Sequence, residues 1–370
     1  MNKKPFRATD GPMIMLIAFV LMLVSQVIAS FLLIGRQMDG AYELINVLAM
    51  IAFQVIYLYT YLVYTKKKGI VSTFSVRNKI TAWAIICAIG VTALCFFGFI
   101  GLSYYFEHLL GGLGYMGSGF MPTTPLAIAV MVLATVVVAP IGEETIFRSA
   151  LLSGLIKNNR SELVPCIISG LCFALMHMNP SQTVYQFCLG FVAAHLTLKC
   201  RSVLPAMVVH GLSNALALVF SYTKIGYAID GFYAQSGQNG GVTLLTCVLF
   251  PIAAGIAIWF VCKYLKKAEK KAHPDKFKLS PRVIWIDEAT NQPIYRPSEY
   301  SIGASGEEQT MKKSAVENRL LAQERLMSQY QSDNEESGAF GKKSNKVAYG
   351  IYFVLTAFMW LTTFAAGLMQ

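Results

Sequence analysis

The stretch 136-VVVAPIGEETIFRSALLSGL-155 decides how the chain is read. It sets Glu143, Glu144 and Arg148 inside an otherwise apolar, helix-forming run, where an ionisable side chain is expensive unless it is paired or used. On a helix Glu144 and Arg148 stand four residues apart with the acid first, the favourable order for an ion pair. Glu143 is turned about 100° from its neighbour and has no partner close by in sequence. The stretch alone allows two readings: a structural network of both acids with Arg148, or a Glu143 left free as a general base.

The rest of the chain supplies the setting. Of 370 residues, 55% are hydrophobic and 14% charged, which excludes an ordinary soluble globule. Apolar runs recur at Met13–Ile34, Leu44–Val63, Ile80–Leu102, Leu126–Ala139, Leu163–Met176, Val184–Leu198, Leu204–Phe220, Val242–Val261 and Val347–Leu368. The expected fold is all-α, a polytopic transmembrane bundle of about eight to nine spans. The fourth to sixth runs are short, as suits helices buried among others or interrupted by polar function. The first run lacks an Ala-x-Ala cleavage pattern and reads as a retained helix. From Thr124 to Lys157 a helix would run ~50 Å against a ~30 Å hydrocarbon core. That stretch must therefore tilt or kink; Pro140 and Gly142 offer the kink, and the acid pair falls near mid-membrane.

The net charge of +11 is distributed as membrane orientation requires and gives no ground for a nucleic-acid partner. Lys3, Lys4 and Arg7 precede the first run, and Lys66, Lys67, Lys68, Arg77 and Lys79 follow the second, which makes the N-terminus cytoplasmic. An integral, multi-pass protein of the cell membrane is the expected localisation. Eight cysteines, none in a Cys-x-x-Cys spacing, lie in or at the ends of runs and read as small buried hydrophobes.

Residues 266–346 hold 15 Lys/Arg and 12 Asp/Glu, more than half of the formal charges, and form a polar cytoplasmic segment before the last span. Within it, "RVIWIDEATNQPIYRP" has β-type residues around a turn-rich centre, and "MKKSAVENRLLAQERLMSQY" fits one amphipathic helix. The chain divides into N-terminal membrane helices (1–122), a core (123–223), an outer loop with the eighth span (224–265), this charged segment (266–346) and a last span (347–370). No internal repeat is evident, which weighs against a secondary transporter.

Two further polar positions bear on Glu143. "CFALMHMNP" carries Phe173 and, one turn later, His177; "LPAMVVHGLSNALALV" carries His210 and, one turn later, Asn214. A lone intramembrane histidine is more often a hydrogen-bond partner than a catalyst. A glutamate pair, an arginine, two histidines and an asparagine on three neighbouring short helices are harder to assign to packing. His195, with no acid near it in sequence, reads as a satisfied core group. Glu143 with His177 could take a proton from water attacking a peptide carbonyl, with His210 and Asn214 donating to the oxyanion. Alternatively, Glu143, His177 and His210 could be a His₂Glu zinc set with an open fourth position.

These residues resemble the CPBP family of CAAX prenyl endopeptidases and bacteriocin-processing proteins, also called the ABI family. Its pattern stands here as Glu143-Glu144-x-x-x-Arg148, Phe173-x-x-x-His177 and His210-x-x-x-Asn214, over roughly residues 125–222. Ser149 stands where a glycine often follows the first motif, so a small residue is kept. The resemblance implies an intramembrane endopeptidase in which Glu143 and His177 activate water and His210 and Asn214 stabilise the oxyanion. Glu144, Arg148 and Phe173 are then supporting residues. The glutamate-type reading calls for no cofactor; the metal-dependent one adds zinc at Glu143, His177 and His210. The implied partners are the lipid bilayer and a membrane peptide or lipidated protein, such as a CAAX protein or a bacteriocin or signalling-peptide precursor. The alternatives are a non-catalytic membrane scaffold or immunity protein of the same fold, and a proton-coupled transporter. One geometric conflict stands: counted from the inner face along straight helices, His177 lies ~24 Å deep and His210 ~13 Å.

Overall fold

The computed structural model describes residues 4–37, 39–116, 120–158, 162–277, 283–287, 292–295 and 343–369. All nine apolar runs lie in helices, and the chain is an all-α polytopic bundle. The helices are α1 (Asp10–Leu33), α2 (Gly40–Lys68), α3 (Ala82–Gly112), α4 (Pro125–Ile156), α5 (Leu163–Met176), α6 (Thr183–Cys200), α7 (Leu204–Tyr222), α8 (Lys224–Tyr233), α9 (Gly240–Ala272) and α10 (Lys343–Leu368). Seven of them, namely α1 to α4, α7, α9 and α10, are long and apolar enough to cross a membrane. The remaining two runs form α5 and α6, which turn much of their surface into the bundle. Outward faces carry unpaired bulk: Phe31 is 69% exposed, Val354 68% and Phe358 61%, a surface that lipid and not water would cover.

Helix ends are fixed by local chemistry. Asp39 accepts from the Tyr42 amide to start α2, and Gly69, at φ 63°, closes that helix in the left-handed conformation that glycine adopts without strain. The buried Asp10 accepts from the Arg7 amide at 2.8 Å and from the Tyr64 hydroxyl at 3.0 Å, tying the start of α1 to the end of α2. Beside them Lys4–Pro5 (β1) pairs in parallel with Ile70–Val71 (β2). At the start of α3, the Thr81 amide donates to Glu269 of α9. All eight cysteines are free thiols, five buried and three partly buried, in keeping with packing roles.

The two largest of four apolar clusters hold most of the buried apolar side chains among the described residues. One joins α1, the end of α4, α5 and α10 through Phe19, Phe147, Phe173 and Tyr352; the other joins α3, α6, α7 and α9 through Cys95, Leu196, Val209 and Ile258. The last helix is seated by its polar heads: Tyr352 donates to the Cys172 carbonyl and Trp360 to Thr183 Oγ1 at 2.8 Å. In the charged segment Val283–Asp287 (β3) and Gln292–Tyr295 (β4) pair antiparallel, in the stretch that reads as β-type residues around a turn-rich centre. The amphipathic helix expected over "MKKSAVENRLLAQERLMSQY" lies outside the described residues.

Candidate active site

α4 is one continuous helix, so Pro140 does not break it. Instead π-helical turns at Leu133–Val138 and Thr145–Leu152 flank the α-helical Ala139–Glu144 segment, and the Ala139 amide reaches five residues back to Ala134. Proline lacks an amide proton, and the wider turn entering it absorbs the missing bond. Wide turns of this kind concentrate at functional positions, and here they bracket the two glutamates.

Gly142 brings α2 into the site. A Cβ there would lie 2.6 Å from Gln54 Oε1 and 3.0 Å from the Gln54 carbonyl, so only glycine admits α2 this closely. On the opposite side Gly211 plays the same part for α7, since a Cβ there would lie 2.7 Å from the Val136 carbonyl. Both glycines adjoin a site residue, Glu143 and His210 respectively.

The expected ion pair is present and sealed. Arg148 Nη1 donates to Glu144 Oε1 at 2.9 Å with both side chains 0% exposed, and Nη2 donates to the Gly190 carbonyl at 2.9 Å. The guanidinium carbon lies 4.6 Å from the Phe173 ring centre, a desolvated cation–π contact. The same Glu144 Oε1 lies 2.9 Å from His210 Nδ1. Glu144 therefore serves α4 and α7 at once.

Glu143 occupies a different environment. Its Oε1 accepts from Gln54 Nε2 at 2.8 Å. Its Oε2 is buried without a hydrogen bond and faces His210 Nε2 at 3.7 Å and His177 Nε2 at 4.0 Å. Separations of that size are too long for direct bonds and suit a water shared between the groups. His177 is 19% exposed and Glu143 7%, against 3% for His210, so the approach is from the His177 side.

The partners at Nδ1 fix the tautomers. His177 Nδ1 faces the Phe173 carbonyl at 2.9 Å and His210 Nδ1 faces the Glu144 carboxylate, both acceptors, so each Nδ1 carries the proton. In their neutral forms both imidazoles then turn a lone pair toward Glu143. The donor types match a His₂Glu zinc set. Yet among the described residues no group of three or more His, Cys, Asp or Glu is arranged to hold a metal ion.

The structure thus brings Glu143, His177 and His210 together and corrects the depth count. Lys199 binds Glu162, which sets the start of α5 level with the end of α6. From there Phe173 is ~16 Å along α5 and, from Arg201, His210 is ~14 Å along α7. Their rings meet at 5.4 Å. His177 lies one turn further, at the C-terminal end of α5, and its side chain reaches back, its Nδ1 bonded to the carbonyl of Phe173. Counting along the helix axes left out the reach of that side chain.

Asn214 does not join the cluster directly: its Nδ2 donates to the Thr135 carbonyl in the π-helical part of α4, at 2.8 Å. His195 stacks on Phe191 of its own helix. Gln54 is the residue that sequence reasoning passed over. A single amide in an apolar helix reads as interhelical glue, and no spacing rule links it to a motif so far along the chain.

Residues 125–216 match the family model described as type II CAAX prenyl endopeptidase Rce1-like. No curated protein and no solved structure matches the chain.

Proposed function

We propose that this chain, whose 125–216 core belongs with the Rce1-like CAAX prenyl endopeptidases among the CPBP membrane proteases, hydrolyses a peptide bond by the glutamate-type route, with Glu143 as the general base. The observation that carries the reading is the convergence of His177 Nε2 and His210 Nε2 on the one unbonded oxygen of Glu143, at 4.0 and 3.7 Å. A water between these groups donates to Glu143 Oε2 and to His177 Nε2, and its oxygen attacks the scissile carbonyl carbon. As the tetrahedral intermediate collapses, the C–N bond breaks and the proton taken from water passes to the leaving amine. The second proton of the water follows to the amine, so the products are a carboxylate and an ammonium group, and the residues return to their starting state.

The oxyanion needs donors. His210 can supply one from Nε2 only as an imidazolium, with the Glu144 carboxylate at its other nitrogen to balance the charge. Asn214 has a second N–H on the amide nitrogen that binds Thr135. Glu144 ties α4 to α7 through His210, Arg148 ties α4 to α6 through the Gly190 carbonyl, and Phe173 packs against both histidine rings. The substrate class we favour is a membrane-associated peptide with a prenylated cysteine near its end, in line with the family of the core. The test compares wild type with Glu143→Gln on a panel of membrane peptides containing prenylated CAAX termini. A rate reduced ~10²–10⁴-fold is expected; equal cleavage by both proteins would remove Glu143 from this role.

A further inference from the structure

We infer that Gln54, on α2 and outside the segment matched by the family, is a positioning residue that fixes the plane of the Glu143 carboxylate, so that one oxygen stays before the two histidines. The inference rests on the general-base role proposed for Glu143.

Its basis is how the two oxygens of one carboxylate differ. Oε1 receives the Gln54 amide at 2.8 Å, whereas Oε2 receives no hydrogen bond and faces the two imidazoles. Without a donor on Oε1 the carboxylate could rotate about its broad terminal torsion, and its plane would turn so that neither oxygen faces the histidines squarely. The amide's own orientation follows from charge, because only its N–H side can face an ionised carboxylate. Gln54 Oε1 is then left buried with no hydrogen-bond partner. An unsatisfied buried acceptor is costly, and its retention here means that the amide's other end is what the site uses.

α2 is also held at the rotation this contact needs. One turn on from Gln54, the Tyr57 hydroxyl lies 2.9 Å from Met176 Sδ and 3.0 Å from Met22 Sδ, so the same face of α2 grips the residue next to His177. Gly142 removes the side chain that would push Gln54 away. The groups facing the Glu143 carboxylate are then Gln54 from α2, His177 from α5 and His210 from α7. Gln54 alone among them donates a hydrogen bond to Glu143 in the described residues.

The test uses the full chain in lipid bicelles and a quenched fluorescent peptide with a prenylated CAAX terminus as probe. Wild type, Glu143→Gln and Gln54→Met are compared; methionine keeps the length and removes the donor. The expected result for Gln54→Met is a kcat ~10–100-fold lower with KM and melting temperature unchanged, as for a group that orients a catalytic residue without touching substrate. If wild type cleaves and Gln54→Met matches it, or loses only KM or only stability, the positioning role is overturned and the role of Glu143 stands. If wild type cleaves no better than Glu143→Gln, the general-base reading fails and the inference falls with it.

Discussion

Arg148 is where the structure makes its most quantitative demand. The side chain is fully buried, donates to Glu144 Oε1 and to the Gly190 carbonyl at 2.9 Å each, and lies over Phe173. Arg148→Met keeps most of the volume and deletes the charge. Glu144 is then left in the interior with a single contact, His210 Nδ1, and its Oε2 has no hydrogen bond to begin with. Breaking one side of a buried pair costs about 3–5 kcal/mol. The Gly190 carbonyl loses its donor as well, worth ~1 kcal/mol. A chain unfolded within lipid still finds polar partners, which brings the expected loss toward ~3 kcal/mol. Removing both charges, in Glu144→Leu/Arg148→Met, leaves no orphaned ion and is expected to restore at least ~2 kcal/mol of that loss. Activity does not return with it, since His210 has lost the carboxylate at Nδ1. The assay is thermal unfolding in detergent, read by a thiol-reactive dye that reports exposure of the buried Cys166 and Cys172. A double variant no more stable than Arg148→Met would refute the reasoning, because the cost would then lie in packing and not in an uncompensated charge.

Two further outcomes follow from the same geometry. A tight zinc chelator is expected to leave peptide cleavage unchanged, and loss of activity restored by added zinc would replace the glutamate-type route with the metal-dependent one. Gly142→Ala sets a methyl group 2.6 Å from Gln54 Oε1 and 3.0 Å from the Gln54 carbonyl. Since backbone cannot swing away, it is expected to lower stability by about 1–3 kcal/mol and to reduce cleavage; a variant that melts with the wild type and stays fully active would show that α2 has slack.

What the sequence makes legible here is whatever repeats locally. Spans show as apolar runs, the Glu144–Arg148 pair shows as a four-residue spacing, and the hairpin at Val283–Tyr295 shows as β-type residues about a turn. The fifth and sixth runs, read as short, form helices partly enclosed by others, as the buried Phe173 and Leu196 illustrate, whereas the fourth, also read as short, belongs to the 32-residue α4. Long-range and backbone-dependent features stay hidden. Gln54 meets Glu143 across a large separation in sequence, and its presence there depends on Gly142 having no side chain. The π-helical turns around Ala139–Glu144 have no side-chain signature beyond Pro140. The reach of the His177 side chain back toward Phe173 is absent from a depth count along helix axes.

Glu144 Oε1 takes both Arg148 Nη1 and His210 Nδ1, each at 2.9 Å, on one atom. Mechanically this is a pin joint through α4 and α7: neither helix can slide along the other without lengthening the Glu144–His210 bond in a dry interior, and Arg148, on α4 itself, holds the Glu144 carboxylate in place for it. The two helices therefore travel as one body. Under the proposed function, a peptide is then expected to enter along another wall, on the side of His177 on α5, the most exposed of the four charged and imidazole groups around Glu143.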